Sequence, residues 1–287
     1  VQITIDEVRA HHPDVLLPPD PEFVREYQQA VQLGREMAST SSVAFVAICR
    51  NAMPWLSQTL ALVEQTGAMF REWSAFVFEN DSSDDTKEVL KAWSDGDRRK
   101  VSLNINHRPH LSHTIATERT IALAEYRTQC QHWVASREPV DYVVVFDTDP
   151  WGGWSVDDVA TSVAHMVESH GDAACMASYS WAQVAQPGGS LAIHYDAFAA
   201  RLNHWRQRDQ QWFHLWHPPV GSPPVRFNSA FGQLALYEAD AYLAMRYTGE
   251  DCEHVTAHRT MPRQVFLNPS ARCVSFWIPN AGQHKHD

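Results

Sequence analysis

The chain is 287 residues long, 44% hydrophobic and 20% charged, which supplies enough apolar mass for a sizeable core and excludes global disorder. With 23 Lys and Arg against 34 Asp and Glu, its net charge of -11 disfavours nucleic acid and anionic membrane surfaces as partners. An anionic ligand would therefore need local cations, either basic side chains or a metal.

Five cysteines (Cys49, Cys130, Cys175, Cys252 and Cys273) are scattered without a C-x-x-C pair, a pattern that fits a reducing, cytoplasmic compartment. No apolar run reaches the roughly 18 residues of a membrane span, and no signal-peptide core opens the sequence. Because the sequence begins with Val1, a membrane anchor further upstream stays open.

Residues 1–20 read as an irregular arm, and 21–40 as a helix with Pro21 suited to its first turn. Ser42–Cys49 is an apolar run of strand length. A helix is expected over about 54–68, with Leu56, Leu60, Leu62 and Val63 inward and Gly67 closing it. Ser74–Phe78 is a second strand, and it ends in the polar cluster Glu79–Thr86. The next helix runs to Trp93 with Val89, Leu90 and Trp93 buried. A long helical stretch, about 114–135, leads to the apolar run Asp141–Phe146, as expected of a parallel strand covered on both faces. Ser155 can cap a helix carrying Val156, Val159, Val163 and Val167, with Gly171 as its stop. This alternation predicts an α/β fold with a mostly parallel central sheet flanked by helices. In the second half, strands are expected at 173–180, 191–195, 231–237 and 265–267, and helices at 239–246 and 251–261. Residues 203–225 form a loop rich in Trp, His and Pro.

The strongest chemical signal is Asp147–Thr148–Asp149 at the end of the buried strand. Residues two apart in an extended chain face the same side, and open α/β sheets bind ligands at the carboxyl ends of their strands. Two carboxylates about 4 Å apart repel by roughly 4 kcal/mol at an effective dielectric of 20. A divalent cation relieves that repulsion, and oxygen ligands suit Mg²⁺ or Mn²⁺. The alternative is a solvated turn. The cluster Glu79–Thr86 can offer acceptors to a base or ribose, or can serve only as a helix cap with an Asx turn.

The order Cys49–Arg50–Asn51, then Phe78–Glu79–Asn80–Asp81–Ser82–Ser83–Asp84–Asp85–Thr86, then Asp147–Thr148–Asp149 resembles nucleotide-sugar glycosyltransferases of the GT-A, Rossmann-like fold. Its E-N-D-S form is similar to the fungal capsule-associated α-1,3-mannosyltransferases and their bacterial and viral relatives. Ala124–Arg127, Gly152–Ser155, Phe227–Gly232, Cys252–Val255 and Asn268–Pro269 extend the likeness over roughly residues 43–270. The resemblance implies an arm and helix at 1–40 and one catalytic domain at 41–287, divided into a nucleotide-binding half (41–150) and an acceptor-binding half (151–287). It places Glu79 and Asp81 near base and ribose, Asp147 at ribose or metal, and Asp149 on the metal. Arg50 and Arg127 are then the cationic partners of a diphosphate; Arg119 is either a third or a solvated helix residue. Thr128 and Gln233 depart from the family's Asn and Gly.

The same resemblance makes the acidic segment Gly249–His254 the source of a general base, with Asp251 and Glu253 as candidates; an acidic helix start is the plain alternative. His284 and His286 lie where such enzymes carry a further metal ligand, and are equally a tail. His254 and His258, with Asp251, could share a helical face around zinc, although surface histidines are the simpler reading. Trp151, Trp154, Trp181, Trp205, Trp212 and Trp216 include candidates for stacking on sugar rings. The implied activity is metal-dependent hexosyl transfer, with mannose the favoured sugar, from a nucleoside-diphosphate sugar to a glycan hydroxyl in polysaccharide assembly. A sugar nucleotidyltransferase and a non-catalytic carbohydrate-binding protein are the rivals. The first lacks its glycine-rich loop, since Cys49–Ala52 contains no glycine.

Overall fold

Strict alternation along the first long strand sets the architecture. Val43, Phe45, Ala47 and Cys49 enter one hydrophobic layer, while Ala44 and Val46 enter the other, with Ile48 packed against it. Such a strand is stable only between two layers of helices, and the computed structural model supplies both. It describes residues 3–97, 99–105, 108–111, 116–186, 189–195, 198–202 and 214–275.

In chain order the elements are α1 (Ile5–Ala10), α2 (Pro13–Leu16), α3 (Val24–Ala38), β1 (Ser42–Cys49), α4 (Leu56–Gly67), β2 (Glu72–Asn80), α5 (Thr86–Ser94) and β3 (Lys100–Ile105). A 3₁₀ turn at Pro109–Leu111 precedes α6 (Thr117–Ala135), β4 (Tyr142–Phe146), β5 (Gly153–Trp154), α7 (Val156–Glu168), β6 (Ala173–Gln186) and β7 (Gly189–His194). The chain continues with β8 (Val225–Phe227), β9 (Leu234–Glu238), α8 (Ala239–Ala244), α9 (Glu253–Arg259) and β10 (Gln264–Val274).

The strands form one ten-stranded sheet in the order β3-β2-β1-β4-β9-β6-β10-β5, with β7 on β6 and β8 on β10. The first four are mutually parallel. Antiparallel β9 then separates β4 from β6, and β6 is parallel to β10. Six strands thus point one way, and β5, β7, β8 and β9 run against them. The expected α/β architecture, a mostly parallel central sheet flanked by helices, is the one observed. Helices α4, α5 and α7 cover one face through Leu56, Leu60, Val63, Leu90, Val159 and Val163. Helices α6, α8 and α9 cover the other through Ala122, Tyr126, Cys130, Tyr242 and Val255. Each fully buried Val or Phe here stabilises by about 1.5–3 kcal/mol.

The N-terminal segment is more ordered than its prolines suggest. A Thr4/Glu7 capping box starts α1. Helix α3 lies so close to α7 that a Cβ on Gly34 would meet Ala160 O at 1.8 Å. A buried triad locks this layer: Asp158 accepts from Tyr27 Oη at 3.0 Å and from Arg272 Nη2 at 2.5 Å. Among the described residues, no helix is long and apolar enough to cross a membrane.

The chain moves outward from β1 to β2 and β3, then crosses back to β4 on the other side of β1. A crevice opens at the carboxyl ends of strands where the order reverses like this. That point, between β1 and β4, holds the cavity described next.

Candidate functional site

The cavity measures about 500 Å³. Its wall includes Cys49, Arg50 and Asn51 from the β1 exit and Asp147, Thr148 and Asp149 from the β4 exit. Helix α6 contributes Arg119, Leu123, Tyr126 and Arg127, whose three- and four-residue spacing puts them on one face. Phe231 and Gln233 close one side, and Cys252, Glu253 and His254 at the start of α9 another.

Asp147 and Asp149 reach the wall half-buried, on either side of Thr148, where the exit bends; Thr148 is buried yet also touches the cavity. The exit is pinned from below. Gln233, with φ of +67°, directs its carbonyl to the Asp147 N–H at 2.8 Å. Its own Oε1 accepts from Ser180 Oγ at 3.2 Å. The preceding Gly232 cannot be replaced without collision, because a Cβ there would lie 1.9 Å from Ser178 O. Gln233 therefore carries a side chain in left-handed backbone, held by a hydrogen bond.

Arg127 is only 2% exposed. Its Nη2 donates to Asp147 Oδ1 at 3.2 Å and its Nε lies 3.8 Å from Glu253 Oε1. Its guanidinium stands over Phe231, 5.3 Å from the ring centroid. Burial disfavours the cation, but Asp147 and Glu253 more than offset this and raise its pKa above the ordinary value. Arg127, expected as a diphosphate partner, is thus first of all the link between two carboxylates. Arg108, a cavity residue that the sequence did not single out, pairs with Glu125 at 2.6 Å. Arg50 and Arg119 line the cavity without an ion pair to any described residue. Arg50 donates from Nη2 to Pro109 O at 2.7 Å, and its buried Nε has no partner among the described residues.

The segment at the end of β2 lies largely off the cavity wall. Neither Glu79 nor Asp81 is on the cavity wall; Asn80 is. Glu79 is fully buried and accepts the Ser82 N–H at 2.7 Å. Asp81 accepts from Arg108 N at 3.0 Å and Asn80 Nδ2 at 3.1 Å. The remaining polar groups lace this loop to the β1 exit: Asn51 N donates to Ser82 Oγ, Ser83 N to Asn51 Oδ1, Ala52 N to Thr86 Oγ1 and Met53 N to Asp84 Oδ2. The surplus of acceptors that suggested ligand contact serves mainly as scaffolding.

Asp251 and Glu253 also part company. Asp251 is off the cavity wall and braces the turn into α9, accepting from its neighbour Cys252 N at 2.7 Å and from buried Arg201 Nη2 at 3.3 Å, with Arg259 3.5 Å away. Glu253 faces the cavity.

The surface reading of His254 and His258 is corrected by their burial, 3% and 4% exposed. His258 is enclosed by Ser229 Oγ at 2.9 Å and Tyr237 Oη at 3.0 Å, and burial pushes its pKa down to about 3. No group of three or more His, Cys, Asp or Glu able to hold a metal occurs among the described residues, which removes the zinc arrangement. His284, His286, Trp205 and Trp212 lie outside the described residues. Trp154 and Trp181 belong to the core, Trp151 stacks on Trp55 at 5.1 Å, and Trp216 packs on Phe227. The aromatic residues on the cavity wall are instead Tyr126, Tyr195, Phe198 and Phe231. For Tyr126 a sequence signal existed, since it falls one α6 face with Arg119 and Arg127.

No protein-family model matches the chain, and no curated protein matches it. Solved structures do. The chain is similar to GalNAc-T7 with UDP, GalNAc and Mn²⁺, at 12% identity and a TM-score of 0.48, over 91% of this chain and 53% of that one. It is similar to the mannosyltransferase PcManGT from Pyrobaculum calidifontis in complex with GDP-Man and Mn²⁺, at 12% identity and a TM-score of 0.49, over 91% and 68%. A third is M. tuberculosis glucosyl-3-phosphoglycerate synthase, at 9% identity and a TM-score of 0.48, over 88% and 77%. This chain spans about half the length of the GalNAc-T7 chain.

Proposed function

We propose that this chain is a glycosyltransferase that moves a hexose from a nucleoside-diphosphate sugar to a hydroxyl of a glycan or similar acceptor. The observation that carries the reading is the convergence of Asp147, Asp149, Arg50, Arg119 and Glu253 on one cavity at the switch point of the sheet. In a chain of net charge -11, this concentration of arginine fits an anionic ligand such as a diphosphate.

Asp147 and Asp149 would hold a divalent cation, Mn²⁺ or Mg²⁺. The donor set fits: two carboxylates on one wall, with water and phosphate oxygens left to complete the shell. When bound, the ion supplies charge neutralisation for the diphosphate leaving group. Arg50 and Arg119 would take the phosphate oxygens. Glu253, joined to Asp147 through Arg127, would accept the proton of the acceptor hydroxyl as its oxygen forms the new bond to the anomeric carbon. The old bond to the phosphate oxygen breaks, and its electron pair leaves with the diphosphate. Glu253 acting as a base on this face corresponds to inversion. The resemblance to capsule mannosyltransferases makes GDP-mannose the first donor to test, with UDP-sugars next.

Calorimetry with GDP or UDP and Mn²⁺ tests the reading. Binding should require the metal, fall by at least about 10-fold in Asp149→Ala, and survive in Glu253→Gln while transfer is lost. Glycan binding without nucleotide would instead mark a carbohydrate-binding protein. Unchanged activity in EDTA and in Asp149→Ala would remove the mechanism.

A further inference from the structure

His254 is a polar side chain whose needs the protein leaves unmet. It is 3% exposed, yet lies on the cavity wall, and neither ring nitrogen has a hydrogen-bond partner among the described residues. Buried polar groups almost always find a partner, and an exception in a cavity marks a place where a ligand completes the set. The ring cannot turn away to find one. It is stacked on Phe231 at 3.8 Å and 14°, with Tyr247 edge-on at 5.9 Å. The neighbouring imidazole of His258, 6.2 Å away, shows the contrast, since both its nitrogens are engaged inside the protein.

The chemistry of the missing partner follows from the surroundings. Burial, Arg127 and His258 hold His254 well below its ordinary pKa, so the ring is neutral and offers one donor and one acceptor. Its Nε2 lies 3.6 Å from Glu253 Oε1, so an anionic group would meet a carboxylate here. Phosphate belongs at the Arg50 and Arg119 part of the wall. A hydroxyl, which both donates and accepts, matches both the imidazole and the carboxylate beside it.

Resting on the transfer reading above, we propose that His254 is a specificity residue that hydrogen-bonds a sugar hydroxyl adjacent to the one facing Glu253. Adjacent hydroxyls occur on both the donor hexose and a glycan acceptor, and the test separates them. His254→Phe keeps an aromatic ring against Phe231 and removes both nitrogens; His254→Asn restores hydrogen bonding. His254→Leu serves if the phenylalanine variant does not fold. Calorimetry uses GDP and UDP with Mn²⁺ as sugar-free probes, GDP-mannose and UDP-glucose as donors, and methyl α-mannoside as acceptor. Affinity for GDP or UDP should be unchanged in every variant. A loss of about 10-fold for a nucleotide sugar, partly recovered by Asn, places the hydroxyl on the donor. The same loss for methyl α-mannoside places it on the acceptor. Equality of wild type and His254→Phe with every sugar probe overturns the inference while leaving the transfer reading intact. A wild-type chain that binds neither GDP nor UDP overturns the transfer reading itself.

Discussion

Arg127 offers the sharpest test of how the site is held. At 3.2 Å from Asp147 and 3.8 Å from Glu253, its cation gains about 5 and about 4 kcal/mol of attraction at an effective dielectric of 20. Loss of hydration on burial cancels much of this, so the pairs add little net stability while intact. Breaking them is another matter. Arg127→Met keeps the volume and removes the cation that pairs with both carboxylates. Asp147, with 29% of its side chain exposed, can rehydrate, whereas Glu253, at 9%, cannot. The expected cost is about 3–5 kcal/mol, a large share of the 5–15 kcal/mol typical of a folded domain. Adding Glu253→Gln removes the stranded anion and should restore at least about 1.5 kcal/mol, so the double variant is more stable than the sum of singles. Urea unfolding followed by the fluorescence of the 11 tryptophans reads this directly. A cost under about 1 kcal/mol for Arg127→Met, or strict additivity of the pair, would refute the bridging role.

Two further outcomes are expected. Burial depresses His194 and His258 to about 3 and holds His254 well below its usual range. The unfolded chain protonates these groups near 6.5 and the folded chain does not, so stability is lost as pH falls from about 6.5 towards about 3. His194 and His258 should each remove about 2 kcal/mol between about pH 7.5 and about pH 5, and His258→Gln should flatten a urea-midpoint profile measured across that range. Asp251→Asn should lower stability by about 2 kcal/mol or more by weakening its hold on buried Arg201. Metal-dependent nucleotide binding by the same variant should stay within about twofold of wild type, measured by calorimetry; loss of that binding at full stability would return Asp251 to the site.

The first half of the fold was legible because its strands are buried on both faces. Ser42–Cys49 was read at its observed limits, and Tyr142–Phe146 and the helix at Leu56–Gly67 within two residues. β3 was missed because it is a half-exposed edge strand, though Val101, Leu103 and Ile105 alternate with Lys100, Ser102 and Asn104. β10 was cut short at Leu267 because Pro269 argues against a strand interior. The chain instead carries a register shift between Asn268 and Arg272, with Asn268 Oδ1 accepting from Ser270 N. In the polar cluster Glu79–Thr86, composition does not tell an acceptor aimed at a ligand from one aimed at a neighbouring backbone N–H, and several of its groups take the second role.

The two acidic pairs show where spacing informs and where it misleads. Asp147 and Asp149 follow directly on a buried strand at its carboxyl end, so both reach the cavity there, even though the chain bends at Thr148 between them. Asp251 and Glu253 have the same separation but straddle a helix entry, with Cys252 at the N-cap. Cys252 (φ -50°, ψ 130°) is the non-helical residue from which the chain enters α9, so the same-face rule of an extended strand does not carry across it. The sequence gives both pairs equal weight; backbone geometry does not. It sends Asp251 to Arg201 and Arg259 as a brace and leaves Glu253 between Arg127 and His254 on the wall. On the proposed transfer reading, the Asp251 brace at the entry to this seven-residue helix is what keeps the Glu253 carboxylate in place against the repulsion of an anionic donor.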